Sequence, residues 1–153
     1  MTYQKCLHKD SYTAQSMAQR EHFSGHRVAK VVVVNADGNL YELVLPACKR
    51  VDLYRLQWLL GVDRVRLANE VEITRAFSDC EIGAIPPLKH WEGVEVIMDA
   101  SMKVEGDILF QGGTHRDGII MDFDDWFSLV KPRVENFTQW GAGYDPLYEG
   151  WDG

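Results

Sequence analysis

A single lysine stands inside an otherwise apolar run of the chain, residues 28–34 (VAKVVVV). The β-branched residues of this run predict a strand that is buried on both faces. An ammonium group is costly to remove from water unless it is paired with an anion. Lys30 therefore either reaches water at the end of the strand, with its aliphatic stem along the sheet, or has an anionic partner. A bound anionic ligand would be one such partner.

Two glycine-containing stretches offer backbone groups that a ligand could approach closely. Residues 83–87 (GAIPP) combine a glycine with prolines that stiffen the loop, although an ordinary proline-rich connection has the same composition. Residues 112–115 (GGTH) form either a nest of backbone donors or a plain hairpin turn. His115 in this turn is a candidate hydrogen-bond donor or general base, with a surface histidine as the alternative.

Metal and thiol chemistry find little support in the sequence. His22 and His26 are four residues apart, but Gly25 lies between them and is expected to end the helix that would align them. The chain has no H-E-x-x-H motif. Cys80 precedes the glycine loop, yet no neighbour in sequence is of a kind that would activate its thiol. We therefore expect no metal, no cofactor and no cysteine nucleophile.

The composition is that of a globular protein in a reducing compartment. Its 153 residues suffice for one domain with a sizeable core, and no stretch resembles a membrane span or a signal peptide. The formal net charge of −7 argues against a surface that coats nucleic acid broadly, but it allows a local basic patch. The scattered Cys6, Cys48 and Cys80 predict free thiols and a cytoplasmic location.

Turn signals and apolar periodicity predict the elements that position these groups. Asp37-Gly38 between two apolar runs predicts a hairpin of strands 28–34 and 41–45. Further strands are expected near residues 3–8, 64–67, 94–98, 108–111 and 119–121. Helices are expected at 11–23 and after the capping residues Asp52, Asn69 and Asp122. Because strict βαβ alternation is missing, the fold should be α+β with a mixed, mostly antiparallel sheet.

A set of short motifs follows in the order of a known family. The motifs are residues 12–15 (YTAQ), His22, Gly25, 28–30 (VAK), 37–38 (DG), 45–47 (LPA), 51–53 (VDL), 66–68 (RLA), 79–87 (DCEIGAIPP), 99–101 (DAS) and 112–115 (GGTH). Taken together, they resemble the YbaK / prolyl-tRNA synthetase-associated editing domain, whose free-standing members are aminoacyl-tRNA deacylases. The resemblance runs from about Tyr12 to Val134. It implies a domain over residues 1–138, with a Gly-rich and aromatic tail over 139–153 that has no counterpart in the family.

The resemblance also implies a fold, an activity and a site. The fold would be a single α+β domain with a mixed, partly barrel-like sheet flanked by helices. The activity would be hydrolysis of the ester that joins a wrong amino acid to the 3′ end of a tRNA. The catalytic positions of the family fall on Lys30, Gly83 and His115. Its substrate-binding positions fall on Thr13, His22, Val28, Pro87, Gly112, Gly113 and Thr114.

Three functions fit this sequence. The first is a trans-acting deacylase acting on Ala- or Cys-tRNA(Pro), with the acceptor end of aminoacylated tRNA and a synthetase as partners, and neither membrane nor DNA. The second is a non-catalytic module that binds tRNA ends, nucleotides or a synthetase in the same pocket. The third is a hydrolase of another small ester. Lys30, the 83–87 loop and His115 together favour the enzyme.

Overall fold

The structure, a computed structural model, describes residues 3–7 and 24–140. The strands are Tyr3–Leu7 (β1), Ala29–Ala36 (β2), Asn39–Pro46 (β3), Lys49–Val51 (β4), Val65–Leu67 (β5), Glu95–Asp99 (β6), Asp107–Gln111 (β7), Asp117–Asp122 (β8), Arg133–Glu135 (β9) and Thr138–Trp140 (β10). The helices are Leu53–Leu60 (α1), Glu70–Ala76 (α2) and Phe123–Val130 (α3), with a 3₁₀ turn at Ala100–Met102. The helix expected at 11–23 lies outside the described residues.

The strands form an open, mixed sheet system. Five strands lie in the order β5-β2-β3-β6-β9, three in the order β1-β8-β7, and β10 pairs with β4. The pairs β3–β6 and β6–β9 are parallel and the others are antiparallel. This is the expected α+β domain with a mostly antiparallel sheet, and the strands within the described residues do not close into a barrel. None of the described helices is long and apolar enough to cross a membrane.

The hairpin of β2 and β3 forms at the predicted turn. Asp37 and Gly38 both have positive φ, 49° and 94°, as a two-residue type I′ turn requires. The Asn35 side chain accepts a hydrogen bond from Gly38 N at 2.8 Å. The Asp37 carboxylate accepts from the backbone of Asp63 and Arg64, both at 2.9 Å, which ties the turn to the entry of β5. The predicted hairpin is confirmed.

Local side-chain chemistry sets the ends of the helices. Asp52 caps α1 by accepting from Arg55 N, and Gly61 ends the helix in the left-handed region. Asn69 and Glu72 form a reciprocal capping box at the start of α2. Asp122 accepts from two backbone amides at the start of α3. All three predicted caps are confirmed.

The central strands bury side chains on two sides of the five-stranded sheet. On one side, here called the α1 face, Val32 packs with Leu56 of α1. On the other side, here called the loop face, Val33 packs with Ile85 of the segment that carries Gly83. Strand β2 is therefore covered by a helix on one face and by the candidate substrate loop on the other.

The short strands near the end of the described chain were not predicted. Strand β10 pairs with β4, and Asp52 N donates to Phe137 O at 2.7 Å, so this segment is fastened next to the start of α1. The buried Asp99 carboxylate accepts from Phe137 N at 2.9 Å and from the Thr138 hydroxyl at 3.0 Å. Strand β10 spans the proposed boundary between residues 138 and 139, and that division stays a prediction.

Candidate functional site

The two glycine-containing loops meet through their backbones. Glu81 N donates to Gly113 O at 2.8 Å, and Gly113 N donates to Ala84 O at 2.9 Å. Residues 81–84 and 112–115 lie about thirty positions apart in sequence, so their meeting depends on the tertiary fold. The structure thus brings together Gly83 and His115, two of the three residues expected to be catalytic.

His115 is held on both sides of its ring and at its backbone. Its backbone N donates to the Glu81 carboxylate at 2.7 Å, and its Nε2 lies 2.8 Å from Ile82 O. A carbonyl oxygen only accepts, so Nε2 carries the proton. In the neutral ring, Nδ1 is then an acceptor, and it lies 3.4 Å from the Gln111 amide nitrogen. This arrangement fixes the orientation of the imidazole, and it suits a residue that positions the loop better than a general base.

The 112–115 turn uses most of its own hydrogen-bonding groups inside the protein. Gly112 N donates to Asp117 O at 2.8 Å, and Gly113 N to Ala84 O. The Thr114 hydroxyl donates to the Asp117 carboxylate at 2.7 Å. The amides of both glycines are therefore not available to a ligand as a nest, and the turn's contribution is to hold the neighbouring loop. Gly113 has a φ of 103°, which favours glycine there.

Gly83 presents backbone toward the outside of the 83–87 loop. It is exposed, and its φ of 85° lies in the region that favours glycine. Among residues 24–140 its N–H finds no hydrogen-bond acceptor. Farther along the loop Pro87 is buried, and its carbonyl accepts from Trp126 Nε1 of α3 at 2.8 Å. The loop is thus anchored at its proline end and offers an amide donor at its glycine.

Lys30 lies on a stretch of β2 between the contacts of two other strands. Strand β5 begins to pair with β2 at Val34, and β7 meets it at a parallel bridge between Val28 and Leu109. Bridged residues share a face, and alternate residues of a strand return to it, so Lys30 and Gln111 lie on the same side as Val28. Gln111 contacts His115, which connects the surroundings of Lys30 to the two loops.

The face of the sheet that carries Lys30 is the α1 face. In the hairpin register Lys30 is opposite Leu45, which packs in the α1-face cluster. The Lys30 side chain is half-buried. Burial raises the pKa of the Cys48 thiol. The positive charges of Lys49 and Lys30 act in the opposite direction and lower this pKa.

The remaining predicted site residues divide into described and undescribed ones. Val28 is fully buried and packs with Ala47 and Leu109, so its side chain belongs to the core of the protein. Thr13 and His22 lie outside the described residues. His26, which the metal hypothesis paired with His22, lies with Nδ1 3.5 Å from Cys48 Sγ.

Other observations concern thiols and metals. Cys48 and Cys80 are free thiols, as predicted, and the side chain of Cys6 is not described. Burial first, and then the charge of Asp79, raises the pKa of Cys80 to about 12, which opposes formation of a nucleophilic thiolate. Within residues 24–140, no three His, Cys, Asp or Glu side chains are grouped so that they could hold a metal ion.

Sequence reasoning missed three polar residues in this region. Glu81 and Gln111 hold His115. Glu81 lies inside the 79–87 motif, but nothing in the sequence indicated its contact with His115, and Gln111 had no signal beyond its position next to a glycine-containing turn. Glu42 is a carboxyl in an apolar strand, an anomaly of the same kind as Lys30, and it could have been noticed on that ground. It is fully buried, and neither carboxyl oxygen has a hydrogen-bond partner within the described residues.

These observations define an α+β domain with an open mixed sheet and with two glycine-containing loops joined through their backbones. The sequence profile described as "Aminoacyl-tRNA editing domain" matches residues 8–129, which is most of the chain. The chain belongs to the aminoacyl-tRNA editing domain family. No protein of curated function matches the sequence closely enough to be a relative.

Solved structures support the same fold. The chain superposes on "hypothetical protein APE2540" with a TM-score of 0.82 at 19% identity, covering 91% of this chain and 93% of the other. It superposes on "a putative trans-editing enzyme for prolyl tRNA synthetase" with a TM-score of 0.80 at 20% identity, covering 90% of this chain and 87% of the other. At such identities the likeness establishes the shared fold.

Proposed function

We propose that this chain is a trans-acting aminoacyl-tRNA deacylase that hydrolyses the ester of a mischarged tRNA. The observation that supports the proposal is the meeting of the Gly83 loop and the His115 turn, which hydrogen bonds join through Gly113, Ala84 and Ile82. Family membership supplies the reaction class. Ala-tRNA(Pro) and Cys-tRNA(Pro) are the leading substrates, and the neighbour described as acting for prolyl tRNA synthetase supports this choice.

The roles follow from what each group can do. Lys30 is the second residue of β2, and it pairs as a point charge with the terminal phosphate of the tRNA at this end of the strand. The ester extends from there past the strand end to the loops. A water attacks the ester carbonyl, and the Gly83 N–H donates to the oxyanion that develops. The bond to the ribose oxygen then breaks, and the neighbouring ribose hydroxyl assists proton transfer. Because the ester is already activated, positioning supplies much of the rate enhancement.

His115 is assigned a positioning role in this scheme. Its ring nitrogens contact Ile82 O and Gln111, so it fixes the carbonyl that directly precedes Gly83. A shift of about 1 Å in such a loop can cost on the order of 10²-fold in rate. In this scheme Lys30 provides the charge that binds the phosphate, Gly83 donates to the oxyanion, and His115 holds the loop in position.

The direct test is a deacylation assay with a panel of charged tRNAs. The purified chain is incubated with Ala-, Cys- and Pro-tRNA(Pro) and with several other mischarged tRNAs, and the remaining ester is measured over time. We expect hydrolysis of at least one mischarged species well above the spontaneous rate, and Pro-tRNA(Pro) should be spared. Spontaneous rates throughout would overturn the proposal. Retained tRNA binding in that case would favour the non-catalytic module.

A further inference from the structure

Two large aromatic side chains project from α1 into solvent. Tyr54 is 84% exposed and Trp58 is 80% exposed. They are spaced i, i+4, so they lie on one face of the helix. Gln57, Gly61 and Val62 complete the lining of a recess of about 300 Å³ beside them. Exposed aromatics of this size around one recess are unusual on a protein surface and mark it as a binding surface.

The lining of the recess suits an aromatic ring. Tyr54 and Trp58 both line it, and Gln57 contributes an amide that can pair with the edge of a base. Gly61 has nothing within 4 Å of the position that a Cβ would occupy, which leaves that side open. Stacking on aromatic side chains is the usual way in which proteins hold unpaired nucleobases.

The charge of this segment also suits a polyanion. The chain as a whole carries −7, but residues 53–66 contain Arg55, Arg64 and Arg66 against the single carboxylate of Asp63. Arg66 is engaged by Glu72 at 2.7 Å, which leaves Arg55 and Arg64 as the exposed arginines nearest the recess in sequence. Exposed arginine beside exposed aromatics combines the two contacts that single-stranded RNA requires.

The helix that carries the recess lies on the same side of the sheet as Lys30. Helix α1 packs on the α1 face through Leu56, and Lys30 projects on the same face opposite Leu45. An RNA end held at Lys30 would therefore reach the protein from the side that α1 covers.

We propose that this recess binds an unpaired nucleobase of the tRNA whose ester the chain hydrolyses, by stacking on Trp58 and Tyr54. The inference rests on the proposed function for the identity of the RNA. It adds a second attachment point, distinct from the aminoacyl site, that would raise affinity for the nucleic-acid part of the substrate.

The test is a fluorescence-anisotropy titration with a labelled single-stranded RNA hexamer ending in CCA. Trp58→Ala should weaken binding about tenfold or more, as expected for the loss of a stacked base. Trp58→Phe, which keeps an aromatic ring, should bind nearly as the wild type. Val71→Ala is the matched control, because Val71 is an apolar residue that is 59% exposed on a different helix. A blunt RNA duplex, whose bases are paired, should not distinguish Trp58→Ala from the wild type.

Separate outcomes decide the inference and the proposed function. Equal hexamer binding by wild type and Trp58→Ala overturns the inference, even if wild type deacylates tRNA. Self-association of the wild type that Trp58→Ala abolishes, with RNA binding unchanged, would also overturn it and assign the surface to a second copy. If wild type deacylates no charged tRNA, the proposed function fails while the titration still decides the stacking site. If the chain is a deacylase and the recess also binds a nucleobase, Trp58→Ala should raise KM for tRNA with kcat nearly unchanged.

Discussion

Among single residues, Glu42 is a carboxyl whose ionisation costs free energy, because its side chain is fully buried. Burial raises its pKa well above the ordinary value of 4.5, because an ionised carboxylate has no partner there among the described residues. The neutral acid is therefore the form that the folded chain favours.

Replacing Glu42 by Gln should make the chain more stable at neutral and alkaline pH. An acid with a raised folded-state pKa contributes fully below the unfolded-state pKa, and that contribution is lost as the pH rises toward the folded-state value. A difference of one between the folded-state and unfolded-state pKa corresponds to about 1.4 kcal/mol, so the gain should exceed about 1 kcal/mol near pH 8 and vanish near pH 4. Urea unfolding from pH 4 to 8 measures it.

The control for this prediction is Glu95→Gln, at an exposed glutamate in β6. Its stability should follow the wild type across the same pH range. If the curves of Glu42→Gln and the wild type run parallel from pH 4 to 8, Glu42 is not the buried neutral acid described above.

His115→Ala should reduce deacylation only moderately, because the ring positions the loop. We expect a loss below about 100-fold, with the shape of the pH–rate profile unchanged, whereas removal of a general base typically costs 10²–10⁴-fold. Steady-state rates from pH 5.5 to 8.5 provide the measurement. A larger loss, together with the disappearance of an inflection in the profile, would show that His115 takes a proton from water.

Among the elements, the joint between the 81–84 loop and the 112–115 turn determines the geometry of the site. Glu81 contributes twice, through its backbone N–H to Gly113 and through its carboxylate to His115 N. Since Glu81 is itself exposed, its role is to align two loops rather than to fill the core.

Glu81→Ala should lower kcat on a mischarged tRNA by about tenfold or more while changing the thermal midpoint little. The backbone contact survives, but the turn loses an acceptor, and loop misplacement is costly in rate. Glu81→Gln retains a side-chain carbonyl at the same place and should recover most of the activity. Glu92→Ala is the control, since Glu92 is an exposed glutamate outside this joint. Equal losses for the Ala and Gln variants would contradict the role of the side-chain acceptor.

Elements whose ends depend on local chemistry were predictable from the sequence. The Asp37-Gly38 turn and the caps at Asp52, Asn69 and Asp122 act on backbone groups within a few residues, so their types and spacing suffice. The pairing of β4 with β10 was not predictable, because each has three residues and the register is set by distant contacts such as Asp99 with Phe137.

The sequence predicted which segments belong to the candidate site, and the membership of single residues stays a prediction. Glycine, proline and a lysine in an apolar run indicated where backbone and charge would be needed, and the structure joins the two glycine-containing loops. The sequence could not show that the amides of Gly112 and Gly113 are used internally, since their acceptors Asp117 O and Ala84 O are defined by the fold. The same holds for the hydrogen bonds of the His115 ring.

Across the whole molecule, the chain combines a negative overall charge with a polyanionic proposed substrate. A net charge of −7 disfavours broad electrostatic attraction, so binding must rest on local contacts. Lys30 and helix α1, which carries the exposed Arg55, lie on one side of the sheet and would provide them. The central claim is therefore that one lysine, Lys30, holds the end of the tRNA beside the loops.

The measurement that tests this claim most directly is the hydrolysis rate of the preferred mischarged tRNA by wild type and by Lys30→Ala. Removing the charge that holds the substrate should lower kcat/KM by about 10- to 100-fold, since a hydrogen bond to a charged group contributes about 1.5–3 kcal/mol. Thermal unfolding should confirm that the variant is folded. Lys89→Ala, at an exposed lysine beyond the 83–87 loop, should retain the wild-type rate. Equal rates for wild type and Lys30→Ala would contradict the account.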